Sequence, residues 1–337
     1  MKLIIQIPCY NEIASLSDVI ADIPQSFEGI ASVEILVVDD GSTDGTAELA
    51  KSLGVDHVVR HRGNKGLART FQYGIETALD LGADIIVNLD GDNQYRAADI
   101  PLLIAPILEG RADIALGDRR GMNNPHFSLL KRLLQVVGSA TIRRITHLNV
   151  SDAVTGFRAF SREAAQQIVI VSEFSYTIEM LVLASAKRLA VVSVPIRTNP
   201  KTRDSRLFKN IPHFLGMSGM TLLRSYTMYR PFRVFFSIGI LAFLIGAAPI
   251  FRFLYFYLQG EGSGHIQSLI LGGALVVAGT FTLLIGIVAD LINCNRRLIE
   301  QMMLRMERLE RGMPHKKSQS SSEIENEGKP IRPMVGV

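Results

Sequence analysis

The sequence predicts an α/β domain followed by a pair of membrane-spanning helices. In the first half of the 337-residue chain, short Val, Ile and Leu runs alternate with stretches of helical spacing. This alternation is typical of a mostly parallel sheet with helices on both faces. In the second half, residues 234–251 and 266–289 contain no charged residue. Apolar residues make up 47% of the chain and charged residues 20%, a composition that excludes a mostly disordered protein and disfavours a purely soluble one.

The predicted strands and helices alternate along the first 196 residues. Six strands are indicated by short apolar runs at residues 3–7, 33–38, 58–59, 85–89, 112–116 and 191–196. Helical spacing predicts helices between them at residues 15–23, 43–53, 67–81 and 128–147. Ser15 and Asp18 are expected to cap the first helix.

The two charge-free stretches are long enough to cross a membrane. Residues 266–289 would form a helix of about 36 Å at about 1.5 Å per residue, against a hydrocarbon layer of about 30 Å. Arg252 lies near one end of the first stretch, where its side chain can reach the headgroups. We therefore predict spans at about 233–257 and 266–290, and the alternative of two buried core helices is disfavoured by their length.

The charges are distributed unevenly. Residues 1–195 carry 18 basic and 23 acidic residues, whereas residues 196–317 carry 16 basic and 6 acidic ones. A basic segment beside apolar runs indicates contact with anionic lipid and not with nucleic acid. Because the link 258–265 has no Lys or Arg, the positive-inside rule places it outside and both termini in the cytosol. The expected location is the inner (cytoplasmic) membrane, as a multi-pass protein.

The chain has two cysteines, Cys9 and Cys294. Two cysteines are too few for a disulfide framework, so a reducing compartment is expected.

The features above divide the chain into five expected segments. They are an α/β domain at 1–200, basic interfacial helices at 201–232, the two spans within 233–292, a basic amphipathic helix at 293–312 and a disordered tail at 313–337. The amphipathic helix is expected to contact the membrane, solvent or another copy of the chain.

Polar clusters follow three of the predicted strands, at residues 8–12, 39–44 and 90–94. Ligands of parallel sheets bind outside the carboxyl ends of the strands, so these clusters are candidates for one site. Asp90 and Asp92, with Gln94 close by, are oxygen donors suited to Mg²⁺ or Mn²⁺ shared with substrate phosphates. The cluster at 39–44 has two interpretations, which are compatible with each other. Its residues form a turn and a helix cap, or one of its carboxylates binds a base or ribose hydroxyl.

Taken together, these segments resemble glycosyltransferase family 2, which has the GT-A fold. The matching motifs are Pro8-Cys9-Tyr10-Asn11-Glu12, Val37-Val38-Asp39-Asp40-Gly41-Ser42-Thr43-Asp44, Asn64-Lys65-Gly66 and Asp90-Gly91-Asp92-Asn93-Gln94. The resemblance implies a Rossmann-like sheet that binds a nucleotide-sugar donor. The implied metal ligands are Asp90, Asp92 and Gln94. The implied nucleotide-binding residues are Pro8, Tyr10, Asn11, Glu12, Asp39, Asp40, Ser42, Lys65, Asp90 and Gly91.

A second set of motifs resembles the polyprenyl-phosphate glycosyltransferases of the dolichol-phosphate mannose synthase type. It comprises Gly117-Asp118-Arg119, Lys131-Arg132, the segment 152–158 and the segment 202–206. The resemblance implies acceptor-phosphate ligands among Arg119, Arg132, Arg158, Arg203, Ser205 and Arg206. The implied catalytic residues are Asp90, Asp92, Asp152 and Arg119. The family's common Gly-Glu-Ser-Lys reads Arg203-Asp204-Ser205-Arg206 here, which weakens a purely phosphate-binding role for Arg206.

The resemblance implies inverting transfer of a hexose from a UDP- or GDP-sugar to undecaprenyl or dolichyl phosphate. Processive polysaccharide synthases are excluded, because their Gln-x-x-Arg-Trp motif needs a tryptophan and the chain has none. The expected partners are the nucleotide sugar, the polyprenyl phosphate, the lipid bilayer and a further copy of the chain, with no nucleic acid. Two alternatives stay open: an inactive nucleotide-sugar-binding scaffold subunit, and transfer to a lipid that is not a polyprenyl phosphate. Asp152 is expected either to orient Arg158 or to lie near the reacting centre. Glu179 is expected to be either a surface residue or a functional residue.

Overall fold

The computed structural model describes residues 1–119, 129–171, 176–200, 211–260 and 262–312. Within these ranges the chain forms a seven-stranded sheet in the order β3-β2-β1-β4-β6-β5-β7. The strands are β1 Lys2–Cys9, β2 Ser32–Asp39, β3 His57–Arg60, β4 Ile85–Asn88, β5 Ile114–Asp118, β6 Arg158–Ser161 and β7 Val191–Pro195. The predicted α/β class is confirmed, and each of the six predicted strands overlaps an observed one.

The helices of the same ranges are α1 Leu16–Ala21, α2 Thr46–Ser52, α3 Leu67–Asp80, α4 Ile100–Leu108, α5 Leu129–Thr146, α6 Arg162–Gln167, α7 Tyr176–Lys187, α8 Ile211–Tyr229, α9 Pro231–Leu258 and α10 Ile266–Gly312. The second helix begins later than expected, because Gly45, with a φ of 91°, precedes Thr46 at its start. A left-handed residue at this point is readily accommodated by glycine.

Strand β6 is the one strand of the described sheet that the sequence did not predict. It lies between β4 and β5 and runs antiparallel to both, whereas β1, β2, β3 and β4 pair in parallel, as do β5 and β7. Asn88 at the end of β4 is opposite Arg158 at the start of β6. The amino end of β6 therefore reaches the edge of the sheet where the parallel strands end.

Two buried layers, one on each face of the sheet, hold this domain together. Alternate residues of β1 divide between them: Ile4 packs with Phe71 of α3 and Met180 of α7, whereas Ile5 packs on the other face among residues such as Leu103 of α4. This alternation follows from the two-residue period of a strand. Both faces are thus apolar and covered, which keeps the sheet rigid beneath the polar edge.

Two helices in the second half of the chain are long and apolar enough to cross a membrane. They are Pro231–Leu258 and the part Ile266–Arg296 of α10. Most of their large apolar side chains are exposed, including Leu244, Phe251 and Ile270. In place of a separate basic helix at 293–312, the structure has a continuation of α10 to Gly312. The expected tail at 313–337 lies outside the described residues.

Glycines spaced by seven residues form the contact between α9 and α10. A Cβ on Gly246 would lie 2.9 Å from the carbonyl oxygen of Gly272, and one on Gly279 would lie 2.7 Å from the amide nitrogen of Phe243. Gly239 and Gly286 are equally crowded by the facing helix. Only glycine allows the two backbones to approach this closely, as in small-residue contacts between membrane helices.

By its internal contacts the chain forms two units, Met1–Asp290 and Leu291–Val337. The first contains the whole sheet and the packed pair of apolar segments. In the second, the described residues 291–312 are helical.

Candidate active site

The three polar clusters meet at the carboxyl edge of the sheet, where the sequence placed them. The amide of Asp40 donates to the carbonyl of Cys9 (2.8 Å), so the loops after β2 and β1 are adjacent. The hydroxyl of Ser15 donates to the carbonyl of Gly91 (2.7 Å), which joins the loop after β1 to the loop after β4. Ser15 does not cap α1 with its side chain as expected, because this hydroxyl is used between loops.

The loops after β1 and β2 are interlocked by reciprocal hydrogen bonds. The amide of Asn11 donates to the Ser42 hydroxyl (2.9 Å), and the amide of Thr43 donates to Oδ1 of Asn11 (2.9 Å). Asn11 has a φ of 55°, a left-handed conformation that asparagine tolerates better than most residues. Glu12 also donates its amide to the Thr46 hydroxyl (3.0 Å). These contacts fix the exposed Tyr10 at the rim of the site.

Asp39 and Asp40 are buried, and both hold neighbouring loops. Asp39 accepts from the amide of Ser42 (3.2 Å) and pairs with Nε of Arg60 (3.0 Å). Asp40 accepts from the amides of Lys65 (2.7 Å) and Gly66 (2.9 Å), and its Oδ1 lies 3.0 Å from Nδ1 of His61. The Asn-Lys-Gly motif is thus folded onto Asp40, so any nucleotide that contacts this carboxylate shares it with the protein.

Asp90 and Asp92 follow β4 at the centre of this edge, and both are half-buried. Burial, followed by the nearby Asp92 carboxylate, raises the pKa of Asp90 to about 7. Two neighbouring carboxylates repel each other when both are ionised, and a bound divalent cation would relieve that repulsion. Among the described residues no group of three or more His, Cys, Asp or Glu side chains could hold a metal. Two carboxylates of this kind suit Mg²⁺ or Mn²⁺, which commonly take one or two protein carboxylates together with substrate phosphates.

Gln94 stabilises the loop that carries Asp92. Its amide donates to Oδ1 of Asp92 (3.1 Å), and its carbonyl accepts from the amide of Asn199 (3.0 Å). The Asn199 side chain in turn donates to Oδ1 of Asn93 (3.0 Å). The stretch after β7 is thereby joined to the loop of the two carboxylates.

Arg119 and Asp152 form a buried bidentate ion pair. Nε of Arg119 donates to Oδ2 of Asp152 (2.6 Å), and Nη2 donates to Oδ1 (3.0 Å). Burial opposes the charge of Arg119, but the Asp152 carboxylate, Tyr95 and Asp90 together outweigh it and raise the pKa of the guanidinium. Asp152 therefore orients Arg119 and not Arg158. The guanidinium carbon also lies 5.9 Å from the ring centre of Tyr95.

The expectation that Arg158 binds an acceptor phosphate is wrong. Arg158 has no exposed surface, and burial lowers its pKa. Its guanidinium donates to the carbonyls of Thr155 (2.8 Å), Thr177 (3.1 Å) and Ala153 (3.0 Å). Because these main-chain oxygens surround the group, it serves the fold and not an incoming ligand.

The other expected residues are placed in part. Arg132 lies in α5, and the position of its side chain is outside the described residues. Arg203, Ser205 and Arg206 also lie outside them. Glu179 is buried, and its Oε1 accepts from the amide of Val171 (3.1 Å), which excludes the surface interpretation.

Three polar residues near the carboxylates were not predicted. Asn88, Tyr95 and Tyr176 are all buried and linked by hydrogen bonds through Gly156. An amide side chain in the apolar run of β4 was a usable signal for Asn88, since buried polar groups need partners. The two tyrosines gave no such signal, because their partners are distant in sequence.

Residues 4–169 match the glycosyl transferase family 2 domain. Glycosyltransferase AglJ of Haloferax volcanii is 30% identical over 308 residues, covering 90% of this chain and 96% of the relative. A dolichol-phosphate mannosyltransferase of Pyrococcus furiosus is 30% identical over 228 residues, covering 63% and 62%.

Among solved structures, glucosyl-3-phosphoglycerate synthase of Mycobacterium tuberculosis, in complex with Mn²⁺, UDP-glucose and phosphoglyceric acid, superimposes with a TM-score of 0.53. It is 22% identical and covers 67% of this chain and 79% of its own, a likeness that supports the GT-A fold. With the site geometry and the relative matched along nearly its full length, the chain belongs to glycosyltransferase family 2.

Proposed function

We propose that this protein transfers a hexose from a nucleotide sugar to a polyprenyl monophosphate at the membrane surface. The observation that carries the proposal is the meeting of the Asp90 and Asp92 carboxylates with Arg119 at one edge of the sheet. Arg119 acts electrostatically on Asp90, and Arg119, Asp90 and Asp152 all act on Tyr95. Groups of opposite charge are thus close enough to bind two anionic substrates side by side.

The donor half of the proposed site is formed by the interlocked loops after β1 and β2. Tyr10 is exposed at the rim, where it can stack on a nucleobase, and the fixed loop around Asn11 and Ser42 supports it. A bound Mg²⁺ or Mn²⁺ on Asp90 and Asp92 would supply charge neutralisation to the departing nucleoside diphosphate. The manganese in the M. tuberculosis structure supports a divalent ion here.

The acceptor half needs orientation more than proton transfer. A phosphate monoester has a second pKa near 6, so its oxygen is already ionised at neutral pH. Arg119 is held rigidly by Asp152, and a preoriented guanidinium matches phosphate geometry. Attack by this oxygen on the anomeric carbon forms the new bond while the nucleoside diphosphate leaves with the old bonding pair, and a single displacement inverts the configuration.

The two apolar helices support a membrane location. Helix α8 joins the α/β domain to α9 within the first unit, so the catalytic edge and the anchor are tethered closely along the chain. We propose that α9 and the first part of α10 form a hairpin in the inner membrane, with the domain and both termini in the cytosol. A lipid phosphate then needs to leave the membrane surface only by a short distance.

The test is transfer of radiolabelled sugar by the full chain in detergent. UDP- and GDP-linked hexoses are each offered with undecaprenyl phosphate, dolichyl phosphate or phosphatidylglycerol. We expect label in a polyprenyl product, lost with EDTA and in Asp92→Asn but retained in the matched control Asp80→Asn, whose side chain is exposed on α3.

Each other outcome would contradict a different part of the proposal. Full activity of Asp92→Asn in EDTA would rule out the metal. Label in phosphatidylglycerol alone would indicate a lipid acceptor that is not a polyprenyl phosphate. Nucleotide-sugar binding without transfer to any lipid would indicate a scaffold subunit.

A further inference from the structure

The Asp90 carboxylate lies directly against the main chain of Gly156. A Cβ added to Gly156 would lie 2.2 Å from Oδ2 of Asp90 and 2.7 Å from its Cγ, well inside the contact distance of real atoms. Asp90 is nevertheless only half-buried. The Gly156 backbone therefore closes one side of the carboxylate and leaves the other for a ligand.

Both peptide groups of Gly156 are held by buried side chains. Its amide donates to the Tyr95 hydroxyl (2.9 Å), and its carbonyl accepts from Nδ2 of Asn88 (2.8 Å). Oδ1 of Asn88 accepts from Nε2 of Gln6 (2.9 Å), so the amide is itself oriented. Since Asn88 and Gln6 have no exposed surface and Tyr95 has 4%, no water competes for these bonds and they are worth more than at a surface.

The chain on either side of Gly156 is fixed by Arg158. Its guanidinium donates to the carbonyls of Ala153 and Thr155 in this segment, and to Thr177 of α7. It also lies 5.6 Å from the ring centre of Tyr176. Gly156 consequently cannot move away from Asp90 without breaking several buried hydrogen bonds.

From this geometry we propose that Gly156, clamped by Tyr95 and Asn88, is a positioning residue that sets the Asp90 carboxylate for a divalent cation. The inference rests on the proposed function, because it requires a cation at Asp90 and Asp92. Groups that orient metal ligands typically change metal affinity by about 10–100-fold when they are replaced.

The experiment measures Mn²⁺ binding directly, by the electron paramagnetic resonance signal of free Mn²⁺, on the full chain in detergent with UDP or GDP present. Gly156→Ala and Tyr95→Phe are each expected to weaken Mn²⁺ binding by about 10–100-fold. Tyr95→Phe keeps the ring that packs near Phe157 (5.5 Å between centres) and removes only the hydroxyl. It therefore tests the positioning role even if Gly156→Ala fails to fold.

The matched control is Gly138→Ala. This exposed helical glycine has open space around the position of a Cβ, so Mn²⁺ affinity should equal that of the unmodified chain. If the unmodified chain binds no Mn²⁺, the metal part of the proposed function fails and this inference fails with it. If the unmodified chain binds Mn²⁺ and folded Tyr95→Phe binds it equally well, the positioning role alone is overturned.

Discussion

Replacement of Asp152 by alanine should destabilise the α/β domain strongly. Arg119 is 9% exposed and Asp152 is 1% exposed, and two hydrogen bonds of 2.6 and 3.0 Å join them. Removing one partner of such a buried pair leaves a charge in a poorly solvated place and costs about 3–5 kcal/mol. For a domain of this size each kcal/mol lowers the melting temperature by about 2–4 °C. The expected decrease is roughly 6–20 °C.

The assay is thermal unfolding followed by circular dichroism, since the absence of tryptophan removes the usual fluorescence signal. A double variant, Arg119→Met with Asp152→Leu, separates stability from activity. Apolar replacement of a buried pair is often neutral or stabilising, so the melting temperature should return while sugar transfer stays at least about tenfold below that of the unmodified chain. A single variant that melts within about 1 °C of the unmodified chain, or a double variant with full activity, would refute the reasoning.

Three further predictions concern the anchor and the two cysteines. Gly279→Val should lower the melting temperature, because overpacking costs about 1–3 kcal/mol. The control Gly273→Val, with open space at its Cβ, should not. Equal effects would contradict the glycine contact. Maleimide should label the native protein once, at the exposed Cys294. Cys9 should not react, because burial, followed by the nearby Glu12, raises the pKa of its thiol and disfavours the reactive thiolate. Labelling that persists in Cys294→Ser would contradict this. In that Cys294→Ser background, Ser263→Cys should react with a membrane-impermeant maleimide added outside intact cells. Labelling only after lysis would contradict the proposed topology, in which the link between the two spans lies outside the cell.

The fold was predictable where its physical signal is local. Parallel strands buried on both faces are nearly continuous apolar runs, and residues 85–89 stand out for that reason. Strand β6 was missed because its four residues, Arg158–Ser161, give no period. Only its position between β4 and β5 makes it a strand.

The site was predictable in its location but not in its contacts. Strand ends placed Asp40 and Asp90 at one edge, as the structure shows. The partner of Asp152 could not be predicted, because Arg158 is six residues away and Arg119 is thirty-three. Only the path of the chain between them brings the more distant arginine into contact.

The reversed strand β6 has a consequence for synthesis of the protein on the ribosome. β4 and β5 do not pair with each other, and each uses one edge to bind β6. A nascent chain that has emerged only as far as β5 therefore leaves one edge of β4 and both edges of β5 unpaired, because β6 and β7 follow later in the chain. Unpaired strand edges are templates for aggregation. The interval between translation of β5 and of β6 is the period in which a chaperone would protect this chain most.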